Sequence, residues 1–241
     1  MNDELLRSHD GHVTRLTLNR PQKANALSAS LVEALLDAVE YAATDGTRLL
    51  ILDGAGPHFC AGFDFTDVQS QSEGDLALRF IRIETLLQAL HHAPHETLAL
   101  AHGRVFGAGA DLVASCGLRV AEPGTSFRMP GLRFGVVLGT RRLVQRIGAD
   151  RARDILSHSR SFDADTALAD GFLTRIAARA DWPALIADAK TAVDMLAPAA
   201  AAALHRRSTE DSRAEDMAEL ARSVSTPGLK ERIRRYRESG K

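Results

Sequence analysis

The sequence predicts an α/β fold that ends in a helical C-terminal segment. Three observations carry the expectation. Short apolar runs, such as residues 49–52 and 97–101, have the length of buried strands. Stretches of helical periodicity alternate with them, the pattern of an α/β core. Small-residue turns at 57–65 and 102–111 hand the chain from strand towards helix.

The elements follow in order. Val13–Leu18 alternates at period two and reads as a half-buried strand. Residues 19–27 form a polar loop in which Pro21 cannot continue a ladder. Ser28 or Ser30 caps a helix whose apolar face is Leu31, Ala34, Leu35, Ala38 and Val39, ended by Asp45-Gly46. The run 49–52 is uniformly apolar and reads as a strand covered on both faces. A second helix spans about 75–92, with Leu76, Phe80, Ile83, Leu87 and Leu90 inward and Pro94 beyond it. Strands at 97–101, 118–121 and 126–129 continue the pattern, and a turn at 135–140 leads into a helix over 141–147. Residues 149–176 read as two short helices around a turn at 161–164. From Trp182 the chain is helical and Ala-rich, breaks at Thr226-Pro-Gly, and finishes in a basic run, 230–237, read as a solvated helix face. The division expected is a core over 1–180 and a helical segment over 181–241.

Composition narrows the function. With 241 residues, 45 % hydrophobic and 25 % charged, the chain suits one soluble domain with a sizeable core. A formal net charge of −1 gives no reason to expect nucleic acid or an anionic membrane as partner. No apolar run approaches the roughly 18 residues of a membrane span, and the acidic start, Met-Asn-Asp-Glu, lacks a signal-peptide core. Cys60 and Cys116 form neither a disulfide framework nor a metal-spaced set, which suits a reducing cytoplasm. His58, His91, His92 and His95 show no metal-ligand spacing either.

The stretch His102–Asp111 is the candidate site. Gly103, Gly107 and Gly109 precede a helix whose first N–H groups point outward, and small residues allow a ligand close to that backbone. The spacing is neither that of a dinucleotide fingerprint nor that of a phosphate loop, and no G-x-S-x-G elbow occurs.

Three stretches together carry a resemblance. They are Asn19-Arg-Pro-Gln-Lys-Ala-Asn-Ala-Leu, Phe59-Cys-Ala-Gly-Phe-Asp, and His102–Asp111 with Ala108 and Asp111 where a glycine and a glutamate are usual. With Gly139-Thr-Arg-Arg-Leu and the order of elements, the chain up to about Ile176 resembles the crotonase superfamily, the enoyl-CoA hydratase/isomerase family. The resemblance implies a crotonase-like spiral of ββα units, with residues 181–241 as a trimerisation segment of a homotrimer or homohexamer. It implies an acyl-CoA thioester as substrate and no cofactor or metal beyond the coenzyme A of that substrate. Its oxyanion hole, two amides holding the thioester oxygen, falls by position on Ala61 and Ala108, with Asp111 as the catalytic carboxyl. Lys23, Ala24, Ala61, Gly62, Phe63, Asp64, Ala108 and Gly131 would bind the thioester. Asp64 also reads as a turn-capping carboxylate, His102 as a partner for backbone, and Cys60 as small-residue packing.

Two departures shape the reaction expected. The second catalytic glutamate of hydratases falls on Gly131, which has no proton to give, and the loop 135–140 runs about three residues short. The aspartate of dienoyl-CoA isomerases is missing from 132–139. Hydration or double-bond isomerisation through Asp111 is therefore expected, without two-glutamate chemistry. The alternatives are decarboxylation, hydrolysis, or a silent acyl-CoA-binding relative. Arg104 or Arg128 would pair with a carboxylate on the acyl group, unless both are ordinary surface arginines.

Overall fold

The computed structural model describes residues 4–239, and in it the chain winds as a spiral. It opens with a hairpin of β1 (Leu5–Asp10) and β2 (Val13–Leu18). Ser28 caps α1 (Ala29–Ala42), its hydroxyl accepting Leu31 N–H at 3.0 Å. The chain returns as β3 (Leu49–Gly54), parallel to β2 and buried at every position. A reciprocal box between Ser72 and Asp75 starts α2 (Glu73–His91).

Next come β4 (Glu96–Ala101), β5 (Arg104–Phe106) and α3 (Ala108–Ser115), whose eight residues are all buried. After them β6 (Leu118–Ala121) and β7 (Ser126–Arg128) lie parallel to β4 and β5 respectively. Each of these turns contributes one strand to a main sheet, one to a small second sheet, then a helix. Helices α4 (Thr140–Ile147) and α5 (Ala149–His158) precede β8 (Ser161–Asp163), α6 (Ala164–Ala169) and β9 (Arg175–Ile176). The main sheet runs β1-β2-β3-β4-β6-β9 and the small one β5-β7-β8.

Four strands differ from the expectation or lie outside it, and one of them is β9, at the end of a stretch read as two helices around a turn. Residues 161–164 contain β8, antiparallel to β7, where a turn was predicted. With only Phe162 buried, three residues give no alternation to read. That ring stacks on Phe127 at 5.4 Å and meets Phe172 at 5.5 Å, so tertiary packing makes the strand. The turn 102–111 likewise encloses β5. β1 is an edge strand with one buried residue, polar and therefore silent to hydrophobic patterning.

Beyond Trp182 lie α7 (Trp182–Asp194), α8 (Pro198–Ser208), α9 (Arg213–Ser225) and α10 (Leu229–Glu238). Leu220, Val224, Leu229 and Ile233 fold α9 and α10 back into the main core, whereas α8 buries no residue. The basic run is not wholly a solvated face. Arg234 and Arg235 pair along the helix, but Arg232 donates to the carbonyls of Phe134, Ser223, Thr226 and Pro227 and pins α10 to the core. Among the described residues no helix is long and apolar enough to cross a membrane.

Candidate active site

Two extended pieces of backbone build the site. Leu27 bridges Phe63 in parallel: Leu27 N–H donates to Gly62 O at 2.7 Å and Asp64 N–H to Leu27 O at 3.2 Å. The Phe63 amide faces the other way and, among the described residues, has no acceptor. Cys60 bridges Val105, and Phe106 N–H donates to Cys60 O at 2.9 Å, which sets the second turn beside the first. Gly107, at φ +52, then opens α3 at Ala108, whose amide is also without an acceptor among the described residues. Ala108 is not among the positive-φ residues, so its Cβ costs no backbone strain.

The two turns touch. A Cβ built on Gly62, at φ +84, would stand 2.5 Å from Phe106 O and 3.1 Å from Ala108 N, so only glycine fits that crossing. The placement corrects one assignment. The Ala61 amide donates to Ala24 O at 2.9 Å and is not available to a ligand. Gly62, at φ +84, turns the backbone between Ala61 and Phe63, and the free amide on the cavity wall with that of Ala108 is that of Phe63. The glycine itself was the one sequence signal of that turn.

Beside these amides is a cavity of about 120 Å³ whose wall includes Phe63, Ala108, Asp111, Arg128, Gly131 and Tyr236. An aromatic cluster closes one side: Phe63 stacks on Phe80 at 4.3 Å, and Phe134 lies 5.1 Å from Tyr236. Gly131 starts a 3-10 helix (Gly131–Phe134) whose Leu132 and Phe134 line the cavity, but position 131 itself offers no side chain. Helix α10 supplies Tyr236, a contribution the reading of the basic run did not foresee.

Asp111 sits in the first turn of α3, 3 % exposed, and its Oδ1 has no hydrogen-bond partner among the described residues. A Cβ on Gly139 would overlap that oxygen, so the carboxyl points its Oδ1 at the backbone entering α4. Burial pushes the carboxyl up to about 8; the Arg142 guanidinium pulls it down and Glu84 pushes it up. Arg142 and Glu84 form a buried pair, 3 % and 1 % exposed, through two hydrogen bonds, Nη1 to Oε1 at 3.1 Å and Nη2 to Oε2. Thr140, on the same cavity wall, has a buried hydroxyl that also lacks a partner among the described residues. Thr140 and Arg142 enter the sequence reading only as part of the Gly139-Thr-Arg-Arg-Leu stretch, with no role assigned, and Glu84, distant along the chain, does not enter it.

The other candidates scatter. Lys23 is exposed on a 3-10 helix (Pro21–Lys23), and neither it nor Ala24 belongs to the cavity wall. Asp64 is a fastener. It accepts Thr66 N–H at 2.9 Å, the Thr66 hydroxyl at 2.6 Å and Arg20 Nη1 at 2.8 Å. Burial alone would raise its carboxyl, but those donors hold it below the usual carboxylate value. Arg104 is exposed and off the wall, whereas Arg128 is on it. His102 Nε2 lies 3.1 Å from Gly56 O, the backbone contact expected. Cys60 donates its thiol to Asn25 O at 3.2 Å, and burial pushes it up to about 12, which leaves no thiolate for attack. No set of three or more His, Cys, Asp or Glu side chains among the described residues is gathered for a metal ion.

The sequence model for enoyl-CoA hydratase/isomerase matches residues 8–241. A probable enoyl-CoA hydratase of Mycobacterium leprae is 33 % identical over 211 residues, 85 % of this chain and 82 % of that protein. A crystal structure from Bordetella parapertussis bearing the same family designation is 53 % identical, with a TM-score of 0.96 over 97 % of this chain and 98 % of that one. An enoyl-CoA hydratase structure from Mycobacterium smegmatis is 28 % identical, with a TM-score of 0.79 over 98 % and 96 % of the two chains.

Proposed function

The chain belongs to the enoyl-CoA hydratase/isomerase family, and from that premise we propose that it shifts the double bond of an enoyl-CoA thioester with one carboxyl as proton shuttle. The observation that carries the reading is the meeting of three groups at one cavity: the free amides of Phe63 and Ala108, and the unpartnered carboxyl of Asp111.

The thioester oxygen accepts both N–H groups. As the α-proton leaves, its electron pair moves into the carbonyl, and the amides meet the developing charge without having to reorganise. A preorganised donor of this kind is worth about 3–4 kcal/mol of barrier. Asp111, ionised, takes the proton from the carbon flanked by carbonyl and double bond. It then returns the proton at the far end of the dienolate. The balance closes without water. A carboxylate whose conjugate acid lies near 8 is a stronger base than an ordinary one, which suits a weakly acidic C–H. Hydration needs a second group to hold and deprotonate water; Gly131 offers none, so we place it second.

The substrate brings its own coenzyme A, and the reading requires no resident cofactor. The Ala-rich first half of α8, which buries no residue, with Leu204 56 % exposed and Met195 81 % exposed just before the helix, favours assembly through the C-terminal helices as a homotrimer or homohexamer. Sedimentation equilibrium tests it, and a monomer at micromolar concentration excludes it. The two free, buried cysteines are in keeping with a cytoplasmic setting.

The activity test is direct. Purified protein is given 3-hexenoyl-CoA and, separately, crotonyl-CoA. Conversion to 2-hexenoyl-CoA should outpace hydration of crotonyl-CoA, and Asp111→Asn should slow it by roughly 10²–10⁴-fold. Faster hydration than isomerisation, or full activity in Asp111→Asn, overturns the proposal.

A further inference from the structure

Arg128 lines the same cavity as Asp111 and the free amides, with most of its hydrogen-bonding capacity unused. Strand alternation puts it there. In the β5·β7 pair, Val105 lies opposite Phe127 and both are buried in the core, so Phe106 and Arg128, also opposite each other, face the cavity. The guanidinium is anchored at one nitrogen only: Nε donates to Ser159 O at 3.1 Å and Ser159 Oγ at 3.2 Å. Among the described residues neither η nitrogen has an acceptor, which leaves four N–H groups in the planar fork that suits a carboxylate.

Among the described residues the acids of α5 and β8 are committed elsewhere. On α5, Asp150 pairs with Arg153, while Asp154 is shared by Arg151, His158 and Arg160. On β8, Asp163 caps α6 through Thr166 N–H at 2.8 Å. Strands β5 and β7 carry no acid. Within the cavity the one carboxyl is Asp111, which burial keeps largely protonated at neutral pH. The walls are otherwise apolar, with Phe106, Met129, Leu132, Leu138 and Leu156 among them. A half-buried cation in such walls is matched by an anion that arrives with the ligand.

We propose that Arg128 selects acyl groups ending in a carboxylate, so that the preferred substrates are dicarboxylic acids joined to coenzyme A at one end. The proposal rests on the acyl-CoA reading above and narrows it.

Binding of saturated thioesters separates the two ideas without any need for turnover. Calorimetry on the full chain compares succinyl-, glutaryl- and adipyl-CoA with neutral isosteres, 5-methylhexanoyl-CoA standing for glutaryl-CoA. At least one carboxylated thioester should bind about tenfold tighter than its isostere, the scale of one charge-assisted hydrogen bond. In Arg128→Met that ratio should fall to about one, and Arg128→Lys should restore part of it. If the neutral thioesters bind as tightly as the carboxylated ones to the unaltered protein, the proposal fails and the acyl-CoA reading stands. If no thioester binds, both fail. A ratio that survives in a folded Arg128→Met, judged by circular dichroism, also overturns it; if that variant does not fold, Arg128→Gln, which keeps a donor for Ser159, is judged by the same ratio.

Discussion

At the scale of single residues, the chemistry rests on a carboxyl deprived of water. Asp111 must be ionised to act as a base, so kcat/KM for isomerisation should rise with pH through about 8 and level above it. A profile that is flat from pH 6 to 9 removes Asp111 as the base. The type and position of Asp111 and the emptiness of position 131 are legible in the sequence, because a motif fixes which residue stands where. The partner of Ala108 is not legible. Whether Ala61 or Phe63 offers its amide depends on how the chain turns at Gly62, and the Ala24 carbonyl that occupies the Ala61 amide is 37 positions away. Gly62→Ala tests the crossing: its Cβ would press on Phe106 O and Ala108 N, and both activity and thermal stability should drop. An unaffected variant would mean that the turns do not meet as described.

At the scale of elements, the helices follow local rules. Ser28→Ala removes the cap of α1 and should lower stability by about 1 kcal/mol in urea unfolding. No measurable change would show the cap to be redundant. Helix periodicity and the buried strand β3 could be read because each element satisfies its own pattern. The short strands β5 and β8 could not, since three residues hold no periodicity and packing against other chain segments decides them. Between elements, the Glu84–Arg142 pair ties α2 to α4 behind Asp111. Breaking it in Arg142→Met leaves a buried charge alone and should cost about 3–5 kcal/mol. Glu84→Met in the same chain should recover much of that loss, and failure to recover would mean the pair is held by more than its mutual charge.

At the scale of the whole molecule, the Asp111 proton couples folding to pH. The native carboxyl titrates near 8, whereas in the unfolded chain it titrates near the ordinary value of 3.8. Between those values the folded state holds a proton that the unfolded state has released. Its contribution to stability is therefore complete below about pH 4, declines as pH rises, and is gone above about 8. Thermal unfolding of Asp111→Asn, compared with the unaltered chain from pH 5 to 8, should lack this decline. Parallel slopes for the two proteins would show that the carboxyl is not so perturbed. Helices α9 and α10 are packed into the same body, because they contribute to its core and Tyr236 to its cavity.

The longer helices and buried strands, the two glycine-bearing turns, the carboxyl at 111 and the lack of one at 131 were determined by sequence alone. Each is a matter of local pattern or of residue identity at a fixed place. Tertiary structure decided which amide stands free, which arginine faces the cavity and how strongly Asp111 holds its proton. Those properties arise from burial and from partners brought together across long separations, and neither is a function of neighbouring residues along the chain.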